Sequence, residues 1–161
     1  MPQNDQALLA RLRDGGVEFV IIGGFCGVYY GVPIVTYDLD ICCPFTEENV
    51  QKIVNAVHDL HPFHRLAANK LPLEVAPPTA ALKNLYLQTD FGKLDCLGEV
   101  LGIGGYEAVL KNSVPGKLSY GEFRFLTIDA LITAKTAAGR AHDMRAVGHL
   151  MALREKMNEQ K

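Results

Sequence analysis

The chain lacks an excess of charge of either sign. Its 16 Lys and Arg stand against 18 Asp and Glu, a formal net charge of −2. No broad basic field therefore advertises long nucleic acid as a partner. Local charge differs from net charge, so a short or small phosphate-bearing substrate stays open. The chain also lacks an uninterrupted apolar run. Its longest apolar stretch, FVIIGGFCGVYYGVPIV, is broken by glycines and a proline, which makes it a poor membrane span. The amino-terminal MPQNDQALLARLRDGG has no apolar segment behind a basic start and does not read as a signal peptide. These absences set the expectation of a cytoplasmic chain without membrane contact.

Other signatures are missing as well. The cysteines at 26, 42, 43 and 96 form no C-x-x-C pair and read as reduced, mostly buried thiols. There is no serine nucleophile elbow, and the glycines at 102–105 fall short of a complete dinucleotide fingerprint and read as a loop. His58, His61 and His64 are spaced by three, but Pro62 interrupts the helix that would align them, which sets aside a histidine metal cluster. No internal repeat or low-complexity linker divides the chain, so residues 1–161 are expected to form a single domain.

What is present is a globular composition, 48% apolar and 21% charged over 161 residues, enough for one hydrophobic core. Asn4 is placed to cap a first helix with Leu8, Leu9 and Leu12 on its buried stripe, ended by Gly15–Gly16. VEFVII reads as a buried strand stopped by Gly23–Gly24, and FCGVYYG as a short helix. TYDLDICCPF is a second strand halted by Pro44. Thr46, followed by two glutamates, opens a helix whose Val50, Ile53, Val54, Val57 and Leu60 recur at helical spacing. Residues 65–82 show no periodicity. KNLYLQT and KLDCLGEV read as strands about a turn, IGGYEAVLKNS holds a short helix, and KLSYGEFRFLTI reads as a hairpin or strand pair. Thr127 caps a helix broken at Gly139, and a last helix covers 141–157. Irregular alternation of strands and helices points to the α+β class, a mixed sheet with helices packed against it.

Chemistry concentrates in VTYDLDICC. On a strand Asp38 and Asp40 share one face while Leu39 and Ile41 turn toward a core. Neighbouring carboxylates repel unless a cation sits between them. A hard divalent ion with oxygen ligands answers that need, although D-x-D alone also fits two solvated acids. Gly23–Gly24 lies at a strand-to-helix junction upstream, where backbone amides can approach a phosphate at a helix start. Asp95, between Leu94 and Cys96 in KLDCLGE, puts a charge inside an apolar strand. It either completes a three-carboxylate site or faces water from an edge strand. Asp90, in T-D-F-G, reads as a turn residue.

The order VIIGGF, then TYDLDI, then KLDCL resembles the nucleotidyltransferase superfamily that includes DNA polymerase β and CCA-adding enzymes. More closely, the chain resembles minimal bacterial nucleotidyltransferases related to the AbiEii toxin family. Those continue with a lysine-bearing helix and an R-x-x-D element, matched here by Lys135, Arg140 and Asp143 in LITAKTAAGRAHDMRAV. The resemblance spans roughly residues 17–153. It implies a nucleotidyltransferase fold with a C-terminal helical segment. It implies that Asp38, Asp40 and Asp95 are catalytic and bind two Mg²⁺ ions, with Mn²⁺ as the alternative. It also implies that Gly23, Gly24, Thr36, Lys135 and Arg140 contact a nucleoside triphosphate. On this reading a nucleoside monophosphate passes to an acceptor, which is a protein, a tRNA end or a small molecule. The chain's small size favours a homo-oligomer or a cognate partner protein. The residues themselves leave simpler roles open: Lys135 on a solvated helix face, and Arg140 with Asp143 as a local ion pair. One departure stands out. Relatives carry Arg two positions before the Thr of R-x-T-x-D-x-D, and this chain has Ile34 there. Lys70 or Lys93 could compensate. Alternatively the chain is an inactive binding module on the same fold, serving as a toxin–antitoxin or regulatory partner.

Overall fold

The computed structural model describes residues 2–160. Asn4 caps helix α1 (Asp5–Asp14) by accepting from the Ala7 amide, and Leu8, Leu9 and Leu12 are its buried stripe. Strand β1 (Val20–Ile22) is shorter than the apolar run suggested, and helix α2 (Gly23–Tyr30) begins directly after it. Gly23 and Gly24 therefore form the first turn of the helix; they do not make a loop before it. Strand β2 (Asp38–Cys42) starts at the first acid. Thr36 and Tyr37 precede it. Helix α3 (Glu47–Val57) is capped by Thr46.

Strand β3 (Phe63–His64) follows at the edge of the aperiodic segment, which otherwise holds one short 3₁₀ turn at Ala68–Lys70. Strands β4 (Asn84–Thr89) and β5 (Gly92–Leu97) form the expected hairpin. The glycines at 102–105, read as a loop, contribute strand β7 (Gly104–Gly105), which pairs with β6 (Glu99–Val100) in a small separate ribbon. Helix α4 (Tyr106–Lys111) leads into the hairpin of β8 (Ser113–Leu118) and β9 (Gly121–Leu126). That hairpin begins four residues before KLSYGEFRFLTI. Its first strand carries Pro115, which is tolerated because β8 lies at the sheet edge. Helices α5 (Ile128–Ala138) and α6 (Ala141–Glu159) pack on each other.

The main sheet is mixed and seven-stranded, in the order β3-β4-β5-β2-β1-β9-β8. β2 runs parallel to β5 and β1 parallel to β9, while the remaining pairs are antiparallel. One face carries the core. Leu39, Ile41, Leu85, Leu87, Leu94 and Cys96 are buried there, in a cluster that includes the apolar residues of α1 and α3. Strand alternation sends their neighbours Asp38, Asp40, Tyr86, Gln88 and Asp95 to the opposite face. All four cysteines are buried free thiols, as their context suggested. In α6 the alternation is less complete than its apolar residues implied: Val147 and Leu150 are buried, but Met144 and Met151 are exposed. Among the described residues no helix is long and apolar enough to cross a membrane.

Candidate functional site

Two registers build the site. Antiparallel pairing of β1 with β2 sets Ile22 opposite Asp40, so the residue after Ile22, Gly23, arrives beside that carboxylate. Parallel pairing of β2 with β5 sets Asp40 opposite Asp95. The three acids converge: Asp38, Asp40 and Asp95 each offer a carboxylate oxygen, all within 4.8 Å of one another. β5 is an interior strand and Asp95 is buried, which removes the reading of a solvated edge acid. Among the described residues no other group of three His, Cys, Asp or Glu is so placed. His61 instead bonds Asp90 at the surface, Nδ1 to Oδ2 at 2.7 Å.

The donor set is all oxygen and all carboxylate, which suits a hard divalent ion such as Mg²⁺ or Mn²⁺ and not a soft one. Burial, followed by the charges of Asp38 and Asp95, pushes the Asp40 carboxyl up to about 7. Burial also raises Asp95, against the opposing pull of Arg65. Among the described residues neither Asp38 nor Asp40 has an ion-pair partner.

Gly23 explains why glycine belongs at the junction. Its φ of +68° is the left-handed region, and a β-carbon there would lie 2.4 Å from Asp40 Oδ2. Gly24 is constrained differently: its missing side chain faces Thr36 Cγ2 at 3.1 Å. The Thr36 hydroxyl donates to Asp5 Oδ2 at 3.2 Å. Thr36 thus packs behind the turn, with its polar atom turned toward α1.

On the other flank of Asp40 opens a cleft of about 180 Å³, lined by Gly23, Leu97, Val100, Leu131, Lys135 and Arg140 among others. Lys135 projects from α5, and its side chain is only 11% exposed. It does not lie on a solvated helix face. Its Nζ is 3.9 Å from Asp143 Oδ1, a carboxylate 2% exposed. Arg140 pairs with the same acid, Nε to Oδ2 at 2.6 Å. Asp143 also accepts from the Arg140 backbone amide at 3.3 Å, which ties down the start of α6. Burial pushes its carboxyl up, but the bonds and charge of Arg140, with Lys135 behind them, outweigh burial and hold it below the usual range. The local Arg140–Asp143 pair is real, and it also anchors Lys135 in the cleft.

The residue that sequence reasoning missed is Arg65. Its Nε donates to Asp95 Oδ1 at 3.1 Å, and a second guanidinium nitrogen contacts Asp95 Oδ2. The guanidinium lies over the Tyr86 ring at 5.5 Å. Arg65 sits in the aperiodic segment, where no spacing marks it; only the pairing of β3 with β4 carries it to Tyr86. Of the two lysines proposed to compensate for Ile34, only Lys93 has a register partner in the triad, standing opposite Asp38 across β2 and β5. Lys70 lies over Phe63, and Lys93 is exposed on β5. Ile34 itself is 43% exposed.

No family model and no curated protein matches the chain in sequence. Among solved structures it is similar to a Thermotoga maritima protein, TM1012, described as a "putative nucleotidyltransferase". The identity is 17% and the TM-score 0.52, with 94% of this chain and 89% of that one covered. At that identity the likeness defines the fold class alone, a nucleotidyltransferase-like mixed α/β fold; the acidic triad, placed so that it could hold a metal ion, is read from this chain's own geometry.

Proposed function

We propose that the chain is a divalent-metal-dependent nucleotidyltransferase of the minimal bacterial type. The observation that carries this reading is the convergence of Asp38, Asp40 and Asp95 within 4.8 Å, beside the start of α2 and a cleft containing Lys135 and Arg140. In this role Asp38, Asp40 and Asp95 would hold two Mg²⁺ or Mn²⁺ ions. When bound, such ions stabilise the entering and departing oxygens of an in-line displacement at phosphorus. The protein's own groups do the rest. The unpaired amides of the first turn of α2, at Gly23 and Gly24, receive phosphate oxygens. Thr36 shapes that turn from behind. Lys135 supplies a compact positive charge to the triphosphate, and Arg140 a guanidinium at the cleft mouth. Asp95 accepts the proton of the acceptor hydroxyl as its oxygen bonds to the α-phosphorus. The bond between α-phosphorus and the bridging oxygen breaks, and pyrophosphate leaves. The acceptor is a separate molecule, a protein, a tRNA end or a small molecule, met in the cytoplasm by a chain acting alone, as an oligomer, or with a cognate partner.

Calorimetry with each of the four nucleoside triphosphates and Mg²⁺ tests the site. Saturable binding is expected for the native chain and its loss in Asp38→Ala; unchanged binding in that variant would remove the metal assignment. Label transfer from α-labelled triphosphates to a component of cell extract tests turnover. If binding is present but no component is labelled with any of the four nucleotides, the chain is a nucleotide-binding module on this fold.

A further inference from the structure

We infer that Arg65 is a positioning residue for Asp95 that stands in for a cation. It neutralises the third carboxylate while the acidic site holds no divalent ion, and it opposes the binding of one. This rests on the reading of Asp38, Asp40 and Asp95 as a metal site.

Three carboxylates whose oxygens lie within 4.8 Å of one another repel strongly. Among the described residues the single ion pair made by any of the three is Arg65 with Asp95. That pair is two-pronged: Nε meets Oδ1 at 3.1 Å while the neighbouring nitrogen meets Oδ2. Both carboxylate oxygens are therefore engaged on the side facing Arg65. Asp95 is 5% exposed, and a buried carboxylate left without a partner is costly. Arg65 answers that cost in the metal-free protein.

The guanidinium is also held from outside the acidic site. It rests over the Tyr86 ring at 5.5 Å, and the Arg65 amide donates to the Tyr86 carbonyl at 3.0 Å. Its side chain remains 22% exposed. Tyr86 stands directly opposite Asp95 in the β4–β5 register, which aims Arg65 at that acid from the flank away from Lys135. An ion held by the triad would share Asp95 with this positive charge. Like charges on one carboxylate repel, so Arg65 lowers affinity for the ion while it stabilises the protein without one. A residue that merely oriented Asp95 as a ligand would have the opposite effect on affinity.

Titration of free Mn²⁺ by its paramagnetic resonance signal, with thermal unfolding of the metal-free protein alongside, separates these cases. Arg65→Gln is expected to bind Mn²⁺ about tenfold more tightly than the native chain, to melt at a lower temperature without metal, and to gain more melting temperature on adding Mn²⁺. Arg65→Lys keeps a positive charge without the fork and should stay within about twofold of native affinity; it also serves if the Gln variant fails to fold, since tenfold tighter binding in the Lys variant would overturn a charge-based role. Native binding with unchanged or weaker affinity in Arg65→Gln would overturn the role of Arg65 alone. Absence of Mn²⁺ binding in the native chain, matching Asp38→Ala, would overturn the metal site and this inference with it.

Discussion

Gly23 and Asp40 exclude one another's bulk: a β-carbon on residue 23 would stand 2.4 Å from Asp40 Oδ2. The contact follows from Ile22 pairing with Asp40 across β1 and β2, which delivers the turn at Gly23 to the carboxylate. Glycine is required twice over, since residue 23 also has a φ of +68°. The turn and the acid therefore form one unit, and a change in either displaces the other.

Gly23→Ala should accordingly lower stability by about 2 kcal/mol, from left-handed backbone strain together with the displaced carboxylate. For a chain of this length that is roughly 5 °C in melting temperature, and metal binding should weaken with it. Gly24→Ala makes a useful comparison. Its β-carbon would press on Thr36 Cγ2, at 3.1 Å, with Ile34 Cδ1 at an ordinary 3.8 Å, on a backbone without positive φ. Helix propensity gained there offsets part of the crowding, and the net change should stay within about 1 kcal/mol. Thermal scans of both variants check the contrast; equal losses would contradict the role given to Asp40.

The raised Asp40 carboxyl makes stability depend on pH. Folded, it titrates at about 7; its ordinary value is 3.8. Between those values the native state holds about one more proton than the unfolded chain at this position, so stability falls as pH rises from about 4 to 7 and levels off above. Asp95 and Asp5, also raised by burial, add to the same slope. Asp143 is lowered, so its contribution is present above 3.8 and is lost only in stronger acid. Asp40→Asn removes the main source of the slope. It should raise the melting temperature of the metal-free protein at pH 8 and abolish tight divalent binding, an exchange of function for stability. Urea unfolding at pH 5 and pH 8, native against variant, measures it. A variant less stable than the native chain at pH 8 would refute the repulsion argument.

Asp143, which lines the same cleft as Asp40, is predicted to matter for the fold as well. It ties the first turn of α6 to Arg140 and stands 3.9 Å from Lys135, whose side chain is 11% exposed. Asp143→Ala leaves that lysine without its partner and should cost about 3 kcal/mol, read as a lower urea midpoint with an unchanged slope. Nucleotide affinity should fall as Lys135 loses its anchor. Lys135→Met keeps most of the packing and should lose affinity with a much smaller change in midpoint. The pair of variants separates Lys135's charge from its support.

Much of the site was legible along the chain because it is made of short-range chemistry. Alternation within β2 placed Asp38 and Asp40 on one face and Leu39 and Ile41 on the other, and burial follows that pattern. Caps at Asn4, Thr46 and Thr127 are local bonds and stand where their residue types implied. Ambiguity remained wherever two elements had to be docked. Whether Asp95 faced water or the acids depended on β5 lying inside the sheet, parallel to β2. Lys135 acquires its meaning from the packing of α5 against α6, and Thr36 from its bond to Asp5 on α1.

The sequence alone determined the order of parts: a strand, a glycine turn at a helix start, a strand bearing two acids on one face, and a later strand bearing a third. Those follow from backbone sterics and the period of side chains, which act within a few residues. Tertiary structure alone decided that the third acid meets the first two and that Arg65, 30 residues from Asp95 along the chain, is its partner. Hydrogen-bond register between strands sets such distances, and register is a property of the assembled sheet.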